Sequence, residues 1–365
     1  MSRPRWAWNI GTIVGIPIRI HATLILLLGW IAFAHWLGGL GPSATIVGVL
    51  LVAIVFAIIV VHELGHALMA RRFGVHTRDI LLLPIGGIAS LERIPDRPAQ
   101  ELAIAVVGPA INVVLAGLLW AGIQLAGGSL TVNPSDPLGM ALAVRLFWIN
   151  LVLAGFNLLP AFPLDGGRAL RALLALWLPR ETATQIAAGL GKALAAVFAV
   201  IGLLYNPWLV LIAVVVWFGA RHEADLVRLR SSLAGVPARA AMLRRIETVT
   251  VDDSLESAAS VMTATGSALL PVVEQGRTVG VLTPEDVRTG LDRAGPEASV
   301  ADAPVHEVLA LAPNEPLDRV LDRLQAAPGA IGVVVDHEAP VGILTPDQLV
   351  SYVALHGRGE VATSA

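Results

Sequence analysis

Two imidazoles and a carboxylate stand within five residues of one another in His62-Glu63-Leu64-Gly65-His66, and every residue from Thr45 to Val61 before them is aliphatic, aromatic or small. On a helix, residues four apart share a face, so both rings can reach one cation while Glu63 projects beside it. The ion that suits such donors is zinc, one per chain. Neutral imidazoles and a carboxylate, with one position left for water, make a tetrahedral catalytic site in which the metal lowers the pKa of that water to about 7. Glu63 can then take a proton from water and return it to a leaving amine. In a soluble helix H-E-x-x-H also arises by chance, so the motif alone leaves both readings open. Within an apolar run each ionisable group costs about 2.5–3.5 kcal/mol on insertion scales, so three together need partners.

Cysteine is absent, so there is no disulfide framework and no thiolate ligand, and a metal must rest on histidine and carboxylate. The third ligand has to come from another apolar segment, and the candidate is NLLPAFPLDGGRALR, residues 157–171. Pro160 and Pro163 break the run, Gly166 and Gly167 leave the backbone free, and Asp165 is the only carboxylate between Asp136 and Glu181. Broken backbone at membrane depth survives only inside protein or along a wet cavity. Asp165 has two readings: a metal ligand, or the N-cap of a helix running through Leu178, with the arginines facing headgroups. The histidines favour the first.

The elements that must hold these groups are helices in a membrane. More than half of the 365 residues are apolar and 15% are charged, which excludes an ordinary soluble domain for most of the length. A net charge of −3 without a basic stripe argues against a nucleic-acid partner. Apolar runs at about 21–40, 45–70, 102–126 and 138–159, with 184–205 and 208–220 joined at Asn206-Pro207, predict six crossings. The N-terminus lacks a cleavage pattern, so the first run is expected to be retained. GGLGPS, GGSLTVNPSDP and YNP carry no Lys or Arg, whereas Arg3, Arg5, Arg71, Arg72, Arg93, Arg97, Arg168, Arg171, Arg180 and Arg221 fall on the other side. Both termini are therefore expected in the cytoplasm of a multi-pass cell-membrane protein. His62 precedes Arg71 by about 13 Å of helix, in the cytoplasmic half of the bilayer.

Composition changes after Ala220. A membrane domain over 1–222 gives way to a charged linker, 223–238, and a soluble region, 239–365. There LLPVVEQGRTVGVLTPEDV and AIGVVVDHEAPVGILTPDQL repeat a strand, a polar turn, a second strand and a helix start, about sixty residues apart. Such repetition predicts two packed copies of one α+β unit, about 239–295 and 296–356.

HELGH in the second run, with N-x-x-P-x-x-P-L-D-G-G-R after the fourth, resembles the site-2 protease family of intramembrane zinc metalloproteases, peptidase family M50. GGIASLERIPDRPAQELAIAVVGPAIN is similar to that family's linker into its third span, and the resemblance covers residues 10–220. It implies His62, His66 and Asp165 as zinc ligands, Glu63 as the catalytic base, and Asn157 as a polar group near the substrate or oxyanion. Asn157 could equally satisfy backbone freed by Pro160. Asn112 matches another family position, and could equally be a helix–helix hydrogen bond. The stretch 80–92, interrupted by Pro84, Gly86 and Gly87, reads beside this resemblance as an extended hairpin or re-entrant strand whose open edge pairs with an unwound substrate; an ordinary loop is the plainer alternative.

The two C-terminal repeats resemble a tandem pair of CBS domains, a family that often binds adenosine nucleotides. Its G-h-h-T-x-x-D pattern is met at Gly280, Thr283 and Asp286, but the second copy has Thr345 followed by Gln348 where the acid belongs, so at most one orthodox nucleotide site is expected. Both threonines are also ordinary N-caps, and the pair could serve for homodimerisation alone. The expectation is a polytopic α-helical membrane protein with six transmembrane helices and a soluble α+β tandem CBS module. Its activity would be zinc-dependent cleavage of a transmembrane or membrane-proximal segment of another membrane protein, regulated by the tail. The alternatives are a membrane zinc hydrolase of lipid-modified substrates and a CBS-gated transporter or channel with His62, Glu63 and His66 as an ion relay.

Overall fold

Alternation precedes the first apolar run, and there the chain forms strands that the sequence reading did not anticipate. The computed structural model describes residues 6–39, 41–92, 95, 97–131, 140–327 and 329–356. Leu138 at the expected start of the fourth span, and Arg3, Arg5 and Arg93 of the charge count, lie outside the described residues. Two units are distinguished, Arg3–Val227 and one containing Arg228–Ala365.

In the first unit, β1 (Ala7–Ile13) turns through Val14 and Gly15, both at positive φ, into β2 (Ile16–His21). His21 then caps α1 (Ala22–Leu37), its Nδ1 accepting from the Thr23 N–H at 3.3 Å. α2 (Gly41–Arg72) returns the chain to β3 (Thr77–Leu83) and β4 (Gly86–Leu91). β2 and β3 pair in parallel, which a tight hairpin cannot achieve and the α1–α2 crossover supplies. The sheet order is β1-β2-β3-β4, so β4 is an edge. Ile16, Ile18, Ile80 and Leu82 bury one face of this sheet against Leu24, Phe56, Val60 and Ala67 of α1 and α2. The strand edge is thereby held beside the helix that carries the histidines.

Then follow α3 (Pro98–Leu125), α4 (Met140–Asn157), α5 (Asp165–Leu174), α6 (Arg180–Tyr205) and α7 (Pro207–Leu233). Among the described residues three helices, α2, α3 and α6, are long and apolar enough to cross a membrane, against the six crossings expected. α1 and residues 142–157 are apolar but shorter, and α7 becomes charged after Ala220 without breaking. Leu26, Trp30, Leu118, Leu125 and Leu203 are exposed on helices that are apolar all round, as lipid contact requires.

One group of charges is inside. Arg171, 1% exposed, donates from Nε and Nη2 to Glu101 Oε1 at 2.9 and 2.6 Å and from Nη1 to Glu223, and its guanidinium lies 5.1 Å from the centre of the Phe162 ring. Arg180 Nη2 reaches Glu101 Oε2 at 2.5 Å. These contacts tie α3, α5, α6 and α7 together and exclude for Arg171 the headgroup-facing position that went with the N-cap alternative: a carboxylate 70 positions earlier, in the first turn of α3, holds it inward. Removing one partner of a buried pair leaves the other uncompensated. Arg171→Leu is therefore expected to cost about 3–5 kcal/mol, read as a lower thermal unfolding midpoint of the purified protein, with a smaller loss in the double variant Glu101→Gln/Arg171→Leu.

The second unit contains α8 (Ala238–Ala241), β5 (Val249–Thr250), α9 (Leu255–Thr265), β6 (Leu270–Glu274), β7 (Arg277–Leu282), α10 (Pro284–Ala294), β8 (Val308–Leu311), α11 (Leu317–Ala326), β9 (Ile331–Asp336), β10 (Ala339–Leu344) and α12 (Pro346–His356). The sheets β5-β6-β7 and β8-β9-β10 each have a parallel first pair and an antiparallel second pair. Both hairpins turn through two residues at positive φ, Gln275–Gly276 and His337–Glu338, the conformation that matches strand twist. Each repeat has its own core, one around Leu255, Leu270 and Leu282, the other around Leu317, Val334 and Leu344.

Candidate metal centre

One helical turn of α2 separates His62 and His66, and both rings are buried, at 6% and 3% exposure. Their Nε2 atoms stand 3.0 Å apart. Asp165 Oδ2 is 3.2 Å from His62 Nε2 and 3.1 Å from His66 Nε2. A tetrahedral ion with ligand bonds of 2.0–2.1 Å would separate its donors by about 3.3–3.4 Å, so these three atoms nearly form the face of such a tetrahedron. Asp165 is the first residue of α5, and its neighbour Leu164 occupies the N-cap. The alternative reading of Asp165 as a helix N-cap is therefore incorrect: its oxygen is turned to the histidines.

The tautomers show that the donors fit a cation. His66 Nδ1 lies 2.6 Å from the Ile104 carbonyl, which only accepts, so Nδ1 carries the hydrogen and the neutral ring presents a lone pair at Nε2. His62 Nδ1 lies 2.6 Å from Asn112 Oδ1 and is in the same state. Two lone pairs and a carboxylate converging at about 3 Å repel one another unless a positive charge stands among them.

Close packing makes that convergence. A Cβ at Gly108 would lie 2.6 Å from His66 Cε1 and 2.7 Å from His62 Cε1, and nearer still to His66 Nε2, so only glycine lets α3 approach the ligand atoms. Pro109 follows it and removes the N–H that would bond Ala105 O, within a turn of the carbonyl that holds His66. At Gly166 a Cβ would fall against the carbonyls of Leu158 and Leu159, and at Gly167 it would be 2.6 Å from the Ala161 carbonyl carbon and Phe162 N. Neither glycine has positive φ, so they are needed for space, not for the conformational freedom inferred from the sequence.

Glu63 lies outside the ligand cluster and against β4: a Cβ at Gly87 would be 2.7 Å from its Cγ and 3.2 Å from its Oε1. Gly86, at φ 137°, opens β4 directly after the Pro84–Ile85 turn in a conformation closed to most side chains. Gly86, Gly87, Glu63, Asn157 and Arg168 line one cavity of about 660 Å³ with the two histidines and Asp165. Asn157 ends α4, and its side chain makes no hydrogen bond among the described residues, so it does not satisfy the backbone freed by Pro160. Asn112 is in the same wall, fully buried, its amide spent on His62 and Asn150. Sequence reasoning passed over Gly108 and Asn150. Both left a signal: Gly108 is four residues before Asn112, hence on its face, and Asn150 is an amide within an apolar run.

In the second unit the residues noted for a nucleotide are engaged in capping. Asp286 Oδ2 accepts from Thr283 N at 2.8 Å and from Thr283 Oγ1 at 2.6 Å, and His306 Nε2 is 3.2 Å away. Gly280 faces Val305, and Thr345 N donates to Gln348 Oε1 at 3.0 Å.

Residues 50–144 and 138–201 match the profile of Peptidase family M50, and residues 238–293 and 300–355 match that of the CBS domain. The zinc metalloprotease MJ0392 of Methanocaldococcus jannaschii is 37% identical over 271 residues, 74% of this chain and 76% of that protein. A solved structure, a site-2 protease from Methanocaldococcus jannaschii, is 38% identical, covers 60% of this chain and 95% of its own, and superposes with a TM-score of 0.46.

Proposed function

Because this chain belongs to peptidase family M50 and is a zinc metalloprotease with CBS domains, we propose that His62, His66 and Asp165 hold its zinc and that it cuts membrane proteins within or beside a transmembrane segment. The observation that carries this reading is the convergence of three donor atoms, with Glu63 at their side, in a cavity walled by an unpaired strand edge.

A transmembrane helix hides its peptide bonds. Locally unwound, it can add to β4 as a further strand, gaining backbone hydrogen bonds whatever its side chains. Gly87 keeps that edge against Glu63. Zinc, when bound, polarises the scissile carbonyl and acidifies water. Glu63 removes a proton from the water as its oxygen attacks the carbonyl carbon, and Asn157 donates from Nδ2 to the oxygen on which negative charge develops. As the C–N bond breaks, Glu63 passes the proton to the leaving nitrogen, giving a carboxylate and an amine. In this reading the chain has six crossings with both termini cytoplasmic and cuts in the cytoplasmic half of the bilayer. The CBS pair regulates it and supports a homodimer. An adenosine nucleotide would have to open the Thr283–Asp286 capping box to use those groups.

Cleavage of a panel of single-span membrane proteins in proteoliposomes is the test. Chelation is expected to bring cleavage to background and stoichiometric zinc to restore it, and a helix-breaking Gly-Pro pair in the substrate span is expected to speed it. Undiminished cleavage by metal-free protein would refute the assignment.

A further inference from the structure

We infer that Asn150 is a positioning residue for the metal centre: acting through Asn112, it holds His62 in the tautomer whose Nε2 lone pair faces the ion. The inference rests on the reading of His62 as a ligand. Asn112 and Asn150 are each 0% exposed, on α3 and α4. The direction of every hydrogen bond in their chain follows from its last member. Asn150 Nδ2 donates to the Leu146 carbonyl at 2.9 Å, and because a backbone carbonyl only accepts, the amide cannot be reversed. Asn150 Oδ1 is thereby turned to Asn112, accepting from Nδ2 at 3.2 Å. Asn112 Oδ1 must then face His62 Nδ1 at 2.6 Å, and Nδ1 must be the protonated nitrogen. Were Asn112 reversed, its NH₂ would face Nδ1, which would then accept, placing the hydrogen on Nε2 and abolishing the ligand lone pair.

His66 needs no such chain, since the Ile104 carbonyl fixes it directly. The ligand that depends on side-chain amides thus has an orienting group two helices away. Outer partners of this kind typically change metal affinity 10–100-fold.

Zinc affinity of the full-length protein in detergent, by competition with a chromophoric chelator, tests the inference without reference to activity. Asn150→Leu is expected to weaken zinc at least about tenfold. In an Asn112→Asp background the same substitution should change affinity less than about twofold, because a carboxylate offers His62 an acceptor oxygen in either orientation. Loss below tenfold in Asn150→Leu, or an equal loss in both backgrounds, would reduce Asn150 to packing and overturn the inference. Should Asn150→Leu not fold, Asn150→Ser, smaller and unable to span to Asn112, takes its place with the same expectations. Absence of zinc binding by the wild-type chain would instead overturn the ligand assignment.

Discussion

Glu63→Gln is expected to keep zinc bound at one ion per chain while cleavage falls by about 10²–10⁴-fold, the usual contribution of a positioned general base. Glutamine has nearly the shape of glutamate, so it occupies the same space against Gly87. Its amide cannot take a proton from water at neutral pH. The three clustered donor atoms proposed to hold zinc belong to His62, His66 and Asp165, and the Glu63 side chain is not among them. The contrast lies with His62→Ala and Asp165→Ala, each of which removes a donor and should lose both metal and activity. Metal analysis and cleavage measured on the same preparations separate the two classes. Equal zinc occupancy in Asp165→Ala and the wild type would contradict its role as a ligand, and loss of zinc in Glu63→Gln would contradict the role of Glu63 as base alone.

Gly108→Ala should be nearly as damaging, although the substitution adds one methyl group and changes no chemistry. That methyl would stand among the converging imidazole atoms, closest to His66 Nε2 and 2.7 Å from His62 Cε1. The neighbours it meets are rings held at the back by hydrogen bonds to Asn112 and Ile104, so they cannot simply swing away. Overpacking of this kind costs about 1–3 kcal/mol, and a metal site tolerates ligand displacements of only about 0.2 Å. Zinc occupancy below roughly a tenth of wild type is expected under conditions that saturate the parent, with cleavage lost in proportion. Gly122→Ala in the same helix is the control. Its added methyl meets nothing within 4 Å, so it should retain zinc and gain about 0.5–1 kcal/mol from the lower conformational entropy of alanine. Undiminished zinc in Gly108→Ala would mean that α3 does not approach the histidines as closely as the packing requires.

Arg171 and the first strands show where reading the residues in order reaches its limit. In sequence Arg171 is one of several arginines after an apolar run, indistinguishable from Arg168; in the fold it is enclosed by Glu101, Glu223 and Phe162. β1 and β2 lie in a short alternating stretch beside a much stronger apolar run, and β2 finds its inner partner only in β3, some sixty residues later. The six apolar runs are legible as runs, yet among the described residues length and hydropathy single out three helices as long and apolar enough to cross a membrane.

The sequence by itself determined that His62 and His66 share a helix face with Glu63 adjacent, that the second apolar run needs compensating partners, and that the chain breaks at Asp165. These are consequences of local spacing, since a helix turns every 3.6 residues whatever surrounds it. Tertiary structure alone decided what stands behind and between those groups. Asp165 reaches His62 across 103 positions, Asn112 meets His62 across 50, and Asn150 meets Asn112 across 38. No local pattern specifies such distances; they follow from Gly108, which lets α3 approach the imidazoles, and from Gly166 and Gly167, which let α5 lie against the backbone of residues 158–162, and packing of that kind is settled only when all the helices are in place.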